Sequence, residues 1–309
     1  SGFRVTGSPG ITTFEGHERA FVKVQDGCDN TCSYCKVRIV RGPSRSRPYK
    51  EIIRECERLV KNNFKEIVLT GICLGAYGRD LSEKKDLTAL IKELCGIEGE
   101  WRLRLSSIEP RDVTPSLIEM FRSLDRLCKH LPMPFQSGDD GVLKRMRRPY
   151  KAGDYLSIIS DVRKEIPDVA ISTDMMVGFP GETEKAFRNT VDFLKEARPM
   201  RAHVFPFSSR KGTAAHGYED DVPLAVKKKR EEALSALTKK LALEFARGFI
   251  GREAEVLIEG VRGGDGLLSG YTDRYIKVRV DAPDAFKSRI VNCRLTLTNR
   301  EVCGILLSS

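Results

Sequence analysis

The chain has 309 residues, 40% of them hydrophobic and 31% charged, so it is long enough to bury a substantial core and to form more than one domain. No apolar run approaches the roughly 20 residues that span a bilayer, and no signal-peptide core is visible, which predicts a cytoplasmic protein without membrane contact. The net charge of +10 predicts a polyanionic partner, although a surplus of charge that only aids solubility is the alternative.

A short apolar strand, a turn and an amphipathic helix repeat six times between residues 20 and 207. The predicted strands are 21–24, 66–71, 102–108, 130–135, 169–179 and 201–207. Six such units predict an α/β fold in which helices cover a parallel sheet. Because the closed barrel of this type has eight strands, an open, six-stranded partial (β/α)6 barrel fits the count, and a doubly wound sheet is the alternative.

Unusual loop sequences follow the predicted strands. Three cysteines follow the first strand, and the next four strands are followed by "GICLGAYG", "SIEP", "QSG" and "GFPGET". In either arrangement of the sheet, ligands bind beyond the carboxyl ends of the strands. We therefore expect these loops to form one site.

The character of the sequence changes after a charged helix predicted over 223–247. Short alternating segments then predict a small all-β barrel over 249–309, with a hairpin turn at "RGGDG" (262–266). We expect this barrel to bind RNA, and a packing module with a solvated basic face is the alternative. The predicted domains are a linker remnant over 1–19, an α/β core over 20–248 and the barrel.

The stretch "GCDNTCSYCK" (27–36) places Cys28, Cys32 and Cys35 close together, whereas the other cysteines are scattered among apolar neighbours. A tetrahedral zinc site or a fully ligated iron–sulfur cluster needs four protein ligands, and no fourth cysteine or histidine lies near. Three thiolates can hold three irons of a 4Fe–4S cluster and leave one iron open. A zinc site with a remote ligand and a CxxC redox pair are the alternatives.

The segment "CDNTCSYC" resembles the CxxxCxxC signature of radical-SAM enzymes, with the aromatic Tyr34 before the third cysteine. Further segments are similar to successive motifs of the radical-SAM methylthiotransferases, among them "LTGICLGAYGRD", "RLRLSSIEP", "HLPMPFQSGDDGVLKRMRRPY" and "DMMVGFPGETEKAF". The tail segment "LSGYTDRYIKVRV" resembles the TRAM barrel that ends those enzymes. "TGICLGAYG" followed by "RLSSIEP" is most similar to the branch that acts on N6-threonylcarbamoyladenosine in tRNA.

This resemblance implies both cofactors and site residues. It implies that Cys28, Cys32 and Cys35 ligate a 4Fe–4S cluster whose open iron binds S-adenosylmethionine (SAM). The residues implied to surround SAM are Gly71, Ser107, Glu109, Gln136, Ser137, Arg148 and Asp174. Cys73 stands where relatives often have histidine, and we expect it to be a tolerated small residue rather than a ligand. No catalytic residue is expected beyond the cluster and SAM.

The function implied by the resemblance is transfer of a methylthio group to C2 of N6-threonylcarbamoyladenosine in the tRNA anticodon loop. The implied partners are the anticodon stem-loop and a flavodoxin- or ferredoxin-like electron donor. Basic segments at 38–50, at 227–230 and in the tail are expected to contact phosphates. The alternatives are methylthiolation of isopentenyladenosine in tRNA or of a ribosomal-protein aspartate and, in another class, a non-catalytic zinc-bearing RNA-binding module.

The resemblance also predicts a limit on what this chain does alone. Methylthiotransferases carry an additional N-terminal domain with a second 4Fe–4S cluster, and no cysteine precedes Cys28 in this sequence. We therefore expect the chain to bind its own cluster and to cleave SAM without completing thiol insertion.

Overall fold

The structure is a computed structural model that describes residues 19–307. The predicted linker remnant lies outside the described residues except for Arg19, which is the first residue of the first strand because it pairs with Glu66 of the neighbouring strand. The strands of the α/β part are β1 (Arg19–Asp26), β2 (Arg45–Ser46), β3 (Glu66–Gly71), β4 (Arg102–Leu105), β5 (His130–Pro132), β6 (Ala170–Val177) and β7 (Arg201–Pro206). Its helices are α1 (Val37–Arg41), α2 (Tyr49–Lys61), α3 (Leu87–Cys95), α4 (Pro115–Ser123), α5 (Asp140–Arg145), α6 (Ala152–Glu165), α7 (Glu184–Ala197) and α8 (Leu224–Arg247).

The six predicted strands are all present, but they lie in two sheets. One sheet has the order β2-β1-β3-β4, in which the short β2 is antiparallel, and the other has the parallel order β5-β6-β7. The segment before β5 bridges the sheets, because the Leu103 amide donates to the Arg126 carbonyl at 2.8 Å and the Cys128 amide donates to the Leu103 carbonyl at 2.8 Å. β5 is shorter than predicted because Pro132 and Pro134 lack amide donors for a longer ladder.

Alternating residues place the two faces of the sheets in different surroundings. In β1, Ala20, Val22 and Val24 are buried, while Phe21 lies on the opposite, concave face. The helices cover the convex face with buried residues at helical spacing, as with Thr190, Phe193, Leu194 and Ala197 of α7. One apolar core therefore lies between helices and sheets, and the concave face is left for other contacts.

The C-terminal part is a closed five-stranded barrel, as predicted. Its strands are β8 (Glu253–Arg262), β9 (Leu268–Thr272), β10 (Lys277–Val280), β11 (Ile290–Thr298) and β12 (Glu301–Leu306). The order β10-β12-β11-β8-β9 closes on itself, which removes unpaired edges. The apolar core of the barrel includes Val256, Val278 and Leu295, and it continues to Met200 and Ala246 of the α/β part.

The turn between β9 and β10 packs against the α/β part at the N-terminal ends of its strands. Arg102 donates to the Tyr271 carbonyl at 2.8 Å, and Arg104 donates to the Asp273 carbonyl at 2.8 Å. The Tyr275 ring stacks on His130 with ring centroids 5.1 Å apart. The barrel thus closes one end of the concave face, opposite the end where the cysteines lie.

Across residues 19–307, no helix combines the length and the apolar character needed to cross a membrane.

Candidate functional site

The three cysteines lie in the loop between the C-terminal end of β1 and α1, and all three are partly exposed. Each sulfur accepts one hydrogen bond at 3.4 Å: Cys28 from the Asn30 amide, Cys35 from the Val37 amide and Cys32 from the Arg148 guanidinium. N–H donors of this kind stabilise thiolates and tune iron–sulfur clusters. The loop therefore presents three partly exposed sulfurs, each with one N–H donor.

Gly27 lets the chain enter this loop. Its φ is +74°, in the left-handed region, and an added Cβ would lie 2.0 Å from the Pro43 carbonyl oxygen. The Cys28 amide donates to the Gly42 carbonyl at 3.2 Å, so the loop closes on itself directly after the glycine. A side chain at residue 27 would push the two sides of the loop apart.

Gln25 holds the cysteine loop against the loop that follows β3, a role the sequence did not indicate. Its side chain is fully buried and donates to the Gly27 carbonyl at 2.8 Å and to the Ser44 hydroxyl at 2.9 Å. Its Oε1 accepts from the Cys73 amide at 2.8 Å. The available signal was a polar residue at the buried end of the strand "FVKVQ".

The other side of the loop is held by Ser33 and Tyr34. The Ser33 hydroxyl donates to the Arg145 carbonyl at 2.8 Å, and its amide donates to the Met146 carbonyl at 3.0 Å. The Tyr34 ring packs edge-on against Phe179 at 6.4 Å. These contacts attach the loop to the end of α5 and to the loop after β6.

Cys73 is buried and interacts with Cys28. This interaction lowers the pKa of the Cys28 thiol to about 6 and raises the pKa of Cys73. Burial raises the pKa of Cys35. Of Cys28, Cys35 and Cys73, Cys28 is therefore the thiol that most readily becomes a thiolate near neutral pH.

The donor set fits a 4Fe–4S cluster. Within the described part of the chain, no three or more His, Cys, Asp or Glu side chains converge closely enough to hold a single metal ion. A cluster places each thiolate on a different iron, so its ligands need not converge on one ion. Three half-exposed sulfurs, each with one N–H donor, match that arrangement.

Two of the predicted SAM residues meet beside Cys32. The buried Arg148 guanidinium pairs with the Glu109 carboxylate at 2.6 Å, and the Tyr150 hydroxyl donates to the same carboxylate. The pKa of Arg148 is raised, because the nearby Glu109 carboxylate and neighbouring tyrosines outweigh the opposing effect of burial. Glu109 is thus engaged with protein partners, and it positions Arg148 against the Cys32 sulfur.

Two other predicted residues, Ser107 and Asp174, line a cavity of about 360 Å³ on the concave face. Burial raises the pKa of Asp174, which opposes its ionisation. Gln136 has a φ of +69°, and its Oε1 atom is buried without a hydrogen-bond partner. Such an orphaned acceptor at the strand ends is suited to a ligand N–H or O–H group.

The remaining two predicted residues are engaged within the protein. Ser137 is fully buried, and its hydroxyl contacts the Thr190 hydroxyl at 3.3 Å and accepts from the Asp139 amide at 3.2 Å. Gly71 leaves room for Gln25, because a Cβ there would lie 3.0 Å from the Gln25 Oε1 atom. Both residues support the loops and do not line this cavity, and their contact with SAM stays a prediction.

The basic block at 227–230 is only partly available to a polyanion. Lys227 and Arg230 are buried, and each is paired with a carboxylate: Lys227 with Asp220 at 2.5 Å and Arg230 with Glu182 at 2.7 Å. The expectation that all four residues contact phosphates is therefore wrong for these two. Helical spacing turns them inward and leaves Lys228 and Lys229 exposed.

Comparisons with known proteins agree with this geometry. The model of the Radical SAM superfamily matches residues 22–194. The chain is 41% identical over 266 residues to the threonylcarbamoyladenosine tRNA methylthiotransferase MtaB of Thermotoga maritima, covering 86% of this chain and 61% of that protein. It is 38% identical over 278 residues to the tRNA-2-methylthio-N(6)-dimethylallyladenosine synthase of Acetivibrio thermocellus, covering 90% of this chain and 58% of that protein. The chain thus spans about 60% of the length of these relatives.

Solved structures support the fold. Coproporphyrinogen III oxidase (HemN) from Escherichia coli, a radical SAM enzyme, matches 72% of this chain and 52% of its own with a TM-score of 0.53 and 16% identity. The radical SAM methyltransferase TsrM from Kitasatospora setae matches 81% of this chain and 42% of its own with a TM-score of 0.52 and 14% identity. Because the superfamily uses a 4Fe–4S cluster and SAM, the predicted cofactors are confirmed. The chain belongs to the radical SAM superfamily.

Proposed function

We propose that this chain is the radical-SAM part of a tRNA methylthiotransferase and that its target is C2 of N6-threonylcarbamoyladenosine in the anticodon loop. The similarity to the relative named for this nucleoside and the segment "TGICLGAYG" followed by "RLSSIEP" support that target. The relative named for dimethylallyladenosine is nearly as similar, so that nucleoside is the second candidate.

The observation that carries the proposal is the loop with three cysteines, each with one N–H donor, beside the Arg148–Glu109 pair. A 4Fe–4S cluster bound there supplies the electron that cleaves SAM. Cys28, Cys32 and Cys35 would hold the cluster, and Gln25 fixes the loop that carries them. Arg148 places a positive charge beside the Cys32 sulfur, where it would pair with the negative charge of the cluster's ligands.

The concave face would hold the target base. Its far end is closed by the β9–β10 turn, so water reaches it from fewer directions than on an open sheet. Orphaned acceptors such as the Gln136 Oε1 atom would orient SAM or the base. We further propose that the two sheets together form the open partial barrel of the superfamily, with the bridge at Leu103 joining them.

The C-terminal barrel is proposed to be a TRAM-like domain over 249–309 that holds the anticodon stem-loop, following a core domain over 20–248. The exposed basic residues Arg38, Arg41 and Arg45 follow the cysteine loop, Lys50 lies in the first turn of α2, and all four are suited to phosphates. The electron donor is proposed to be flavodoxin- or ferredoxin-like.

The experiment is anaerobic reconstitution with iron and sulfide, followed by EPR of the reduced protein with and without SAM. We expect a 4Fe–4S signal that changes when SAM is added, and 5′-deoxyadenosine among the products. Cys32→Ser should reduce the iron content and abolish SAM cleavage. Cys303→Ser, which changes a cysteine of the distant β12, should match the wild type. Uptake of one zinc ion without a cluster signal would overturn the proposal.

A further inference from the structure

The closed end of the cavity carries an excess of positive charge. Arg19, Arg104 and Arg201 line this end together with one buried carboxylate, that of Glu66. His130 also lines it, but burial holds its pKa well below the usual range, so it adds no charge. An excess of guanidinium groups in a cavity is suited to an anionic ligand.

Two of these arginines are already paired. Arg19 contacts Glu66 at 2.9 Å and Glu259 at 3.4 Å. Arg104 donates to Glu66 at 2.9 Å and to the Asp273 carbonyl at 2.8 Å. Both charges are therefore balanced by the Glu66 carboxylate, although the Arg19 Nη2 atom is buried without a hydrogen-bond partner.

Arg201 differs from them. Its side chain makes no ion pair or hydrogen bond with any residue between 19 and 307, and its Cζ atom lies 5.7 Å from the centroid of the Tyr275 ring. Arg201 is exposed to the cavity, whereas the Arg104 side chain is buried. Its five N–H donors therefore face the cavity and are not paired with an acceptor within residues 19–307.

The position of Arg201 along β7 matters as well. Arg201, His203 and Phe205 are exposed at alternate positions, and they lie beside Ser172, Asp174 and Met176 of β6. Arg201 is at the closed end of the cavity, and Phe205 is toward the end where the cysteines lie. Four residues of strand separate them by about 13 Å.

We propose that Arg201 binds a carboxylate on the N6 substituent of the target adenine and thereby selects a threonylcarbamoyl group over an uncharged one. The inference rests on the proposed function, because it takes the target to be a modified adenosine whose C2 faces the cysteine end. C2 and C6 of the purine are separated by N1 and their exocyclic bonds diverge, so with C2 at the cysteine end a substituent on N6 can extend along the cavity toward its closed end. The distance along β7 is enough for a ring and a short substituent.

The chemistry of the neighbours is consistent with such a substituent. A threonylcarbamoyl group ends in a carboxylate and also carries N–H and hydroxyl donors. The Asp174 carboxylate, which has no side-chain hydrogen bond within residues 19–307 and lies one layer nearer the cysteines, can accept from these donors. An uncharged dimethylallyl group would instead cover the Arg201 guanidinium without pairing it, and that burial opposes binding.

The test compares binding of three anticodon stem-loop RNAs to the anaerobically reconstituted chain. They carry N6-threonylcarbamoyladenosine, its methyl ester or N6-dimethylallyladenosine at the same position, so that the ester removes the charge and retains the shape. We expect the wild type to bind the free acid about tenfold more tightly than the ester, as for one charge-assisted pair.

Variants then assign the preference to one residue. Arg201→Met should bind the acid and the ester equally, and Arg201→Lys should retain part of the preference. Arg58→Met, which removes the same charge from an exposed position of α2, should keep the wild-type preference and controls for general attraction to RNA. Circular dichroism checks that each variant is folded.

Equal binding of acid and ester by the wild type, or a preference that survives in Arg201→Met, would overturn the role of Arg201. The result is separate from the test of the proposed function, because SAM cleavage by the reconstituted chain is measured without RNA. A protein that cleaves SAM but ignores the carboxylate would refute the inference alone. A protein that binds no cluster would refute the proposed function itself.

Discussion

Glu66 offers the sharpest test of how the two parts of the chain are held together. Its carboxylate is fully buried and contacts three guanidiniums: Arg102 at 2.7 Å, Arg104 at 2.9 Å and Arg19 at 2.9 Å. Glu66→Gln preserves the shape but removes the negative charge and replaces one acceptor oxygen with an NH2 donor that faces the buried arginines. Breaking a buried pair in this way costs about 3–5 kcal/mol. We therefore expect the midpoint of thermal unfolding to fall by at least about 5 °C.

The assay is urea and thermal unfolding of the metal-free protein at pH 7, followed by circular dichroism. Glu119→Gln is the matched control, because Glu119 pairs with Arg122 at 2.8 Å on the exposed surface of α4, where ion pairs contribute little. The control should unfold like the wild type. If Glu66→Gln also did, the cluster of arginines would not depend on the carboxylate and the reasoning would fail.

The contribution of Glu66 to the free energy of unfolding should depend on pH with a definite sign. Burial alone would raise the pKa of Glu66, but Arg104, Arg102 and Arg19 outweigh it and hold the pKa well below the usual 4.5. A carboxyl group whose pKa is depressed in the folded state stabilises the protein fully above its unfolded pKa, about 4.3. This contribution is lost as the pH falls through the folded pKa. The gap between wild type and Glu66→Gln should thus be constant above about pH 5 and narrow in stronger acid.

Two further substitutions test the site. Gly27→Ala places a Cβ on a residue whose φ is +74° and pushes it against the Pro43 carbonyl, so the iron content after reconstitution should fall sharply. Gly217→Ala is the control, because an added Cβ there meets open space, and it should incorporate iron normally. Equal iron contents in the two variants would contradict the steric account. Ser137→Ala removes the hydrogen bonds to the Thr190 hydroxyl and from the Asp139 amide, so the free energy of unfolding should fall by about 1 kcal/mol. The affinity for SAM should not change. A tenfold loss of SAM binding would instead place Ser137 in the cofactor site.

Local patterns in the sequence predicted the features that depend on neighbours along the chain. The cysteine spacing placed Cys28, Cys32 and Cys35 in one loop, and alternating segments after residue 249 predicted the closed barrel. These features follow from strand and helix periodicity, which is set over a few residues. The division into two sheets was missed because it depends on the short β5, where the prolines interrupt the ladder.

Partners far apart in sequence were out of reach of such patterns. The resemblance implies that Glu109 and Arg148 surround SAM, but it does not indicate that they pair with each other across 39 residues. Gln25 contacts the Cys73 amide across 48 residues, and nothing in its immediate neighbours signals this. A residue type indicates what a side chain can bind, whereas the fold decides whether an internal partner is already bound.

The arginines show how that distinction separates structural residues from candidates for binding. Arg102 and Arg104 share the Glu66 carboxylate and donate to carbonyls of the C-terminal barrel, so their charges are used in joining the two parts of the chain. Arg148 is held by Glu109 and serves Cys32. Arg201 has the same chemistry and borders the same cavity as Arg104, yet it lacks an acceptor within residues 19–307. Water hydrates an exposed guanidinium in a cavity until a ligand displaces that water. The displaced hydration is replaced only if the ligand brings an anion that pairs with the guanidinium. The unpaired member of the set is therefore the one whose charge is available to discriminate between substrates.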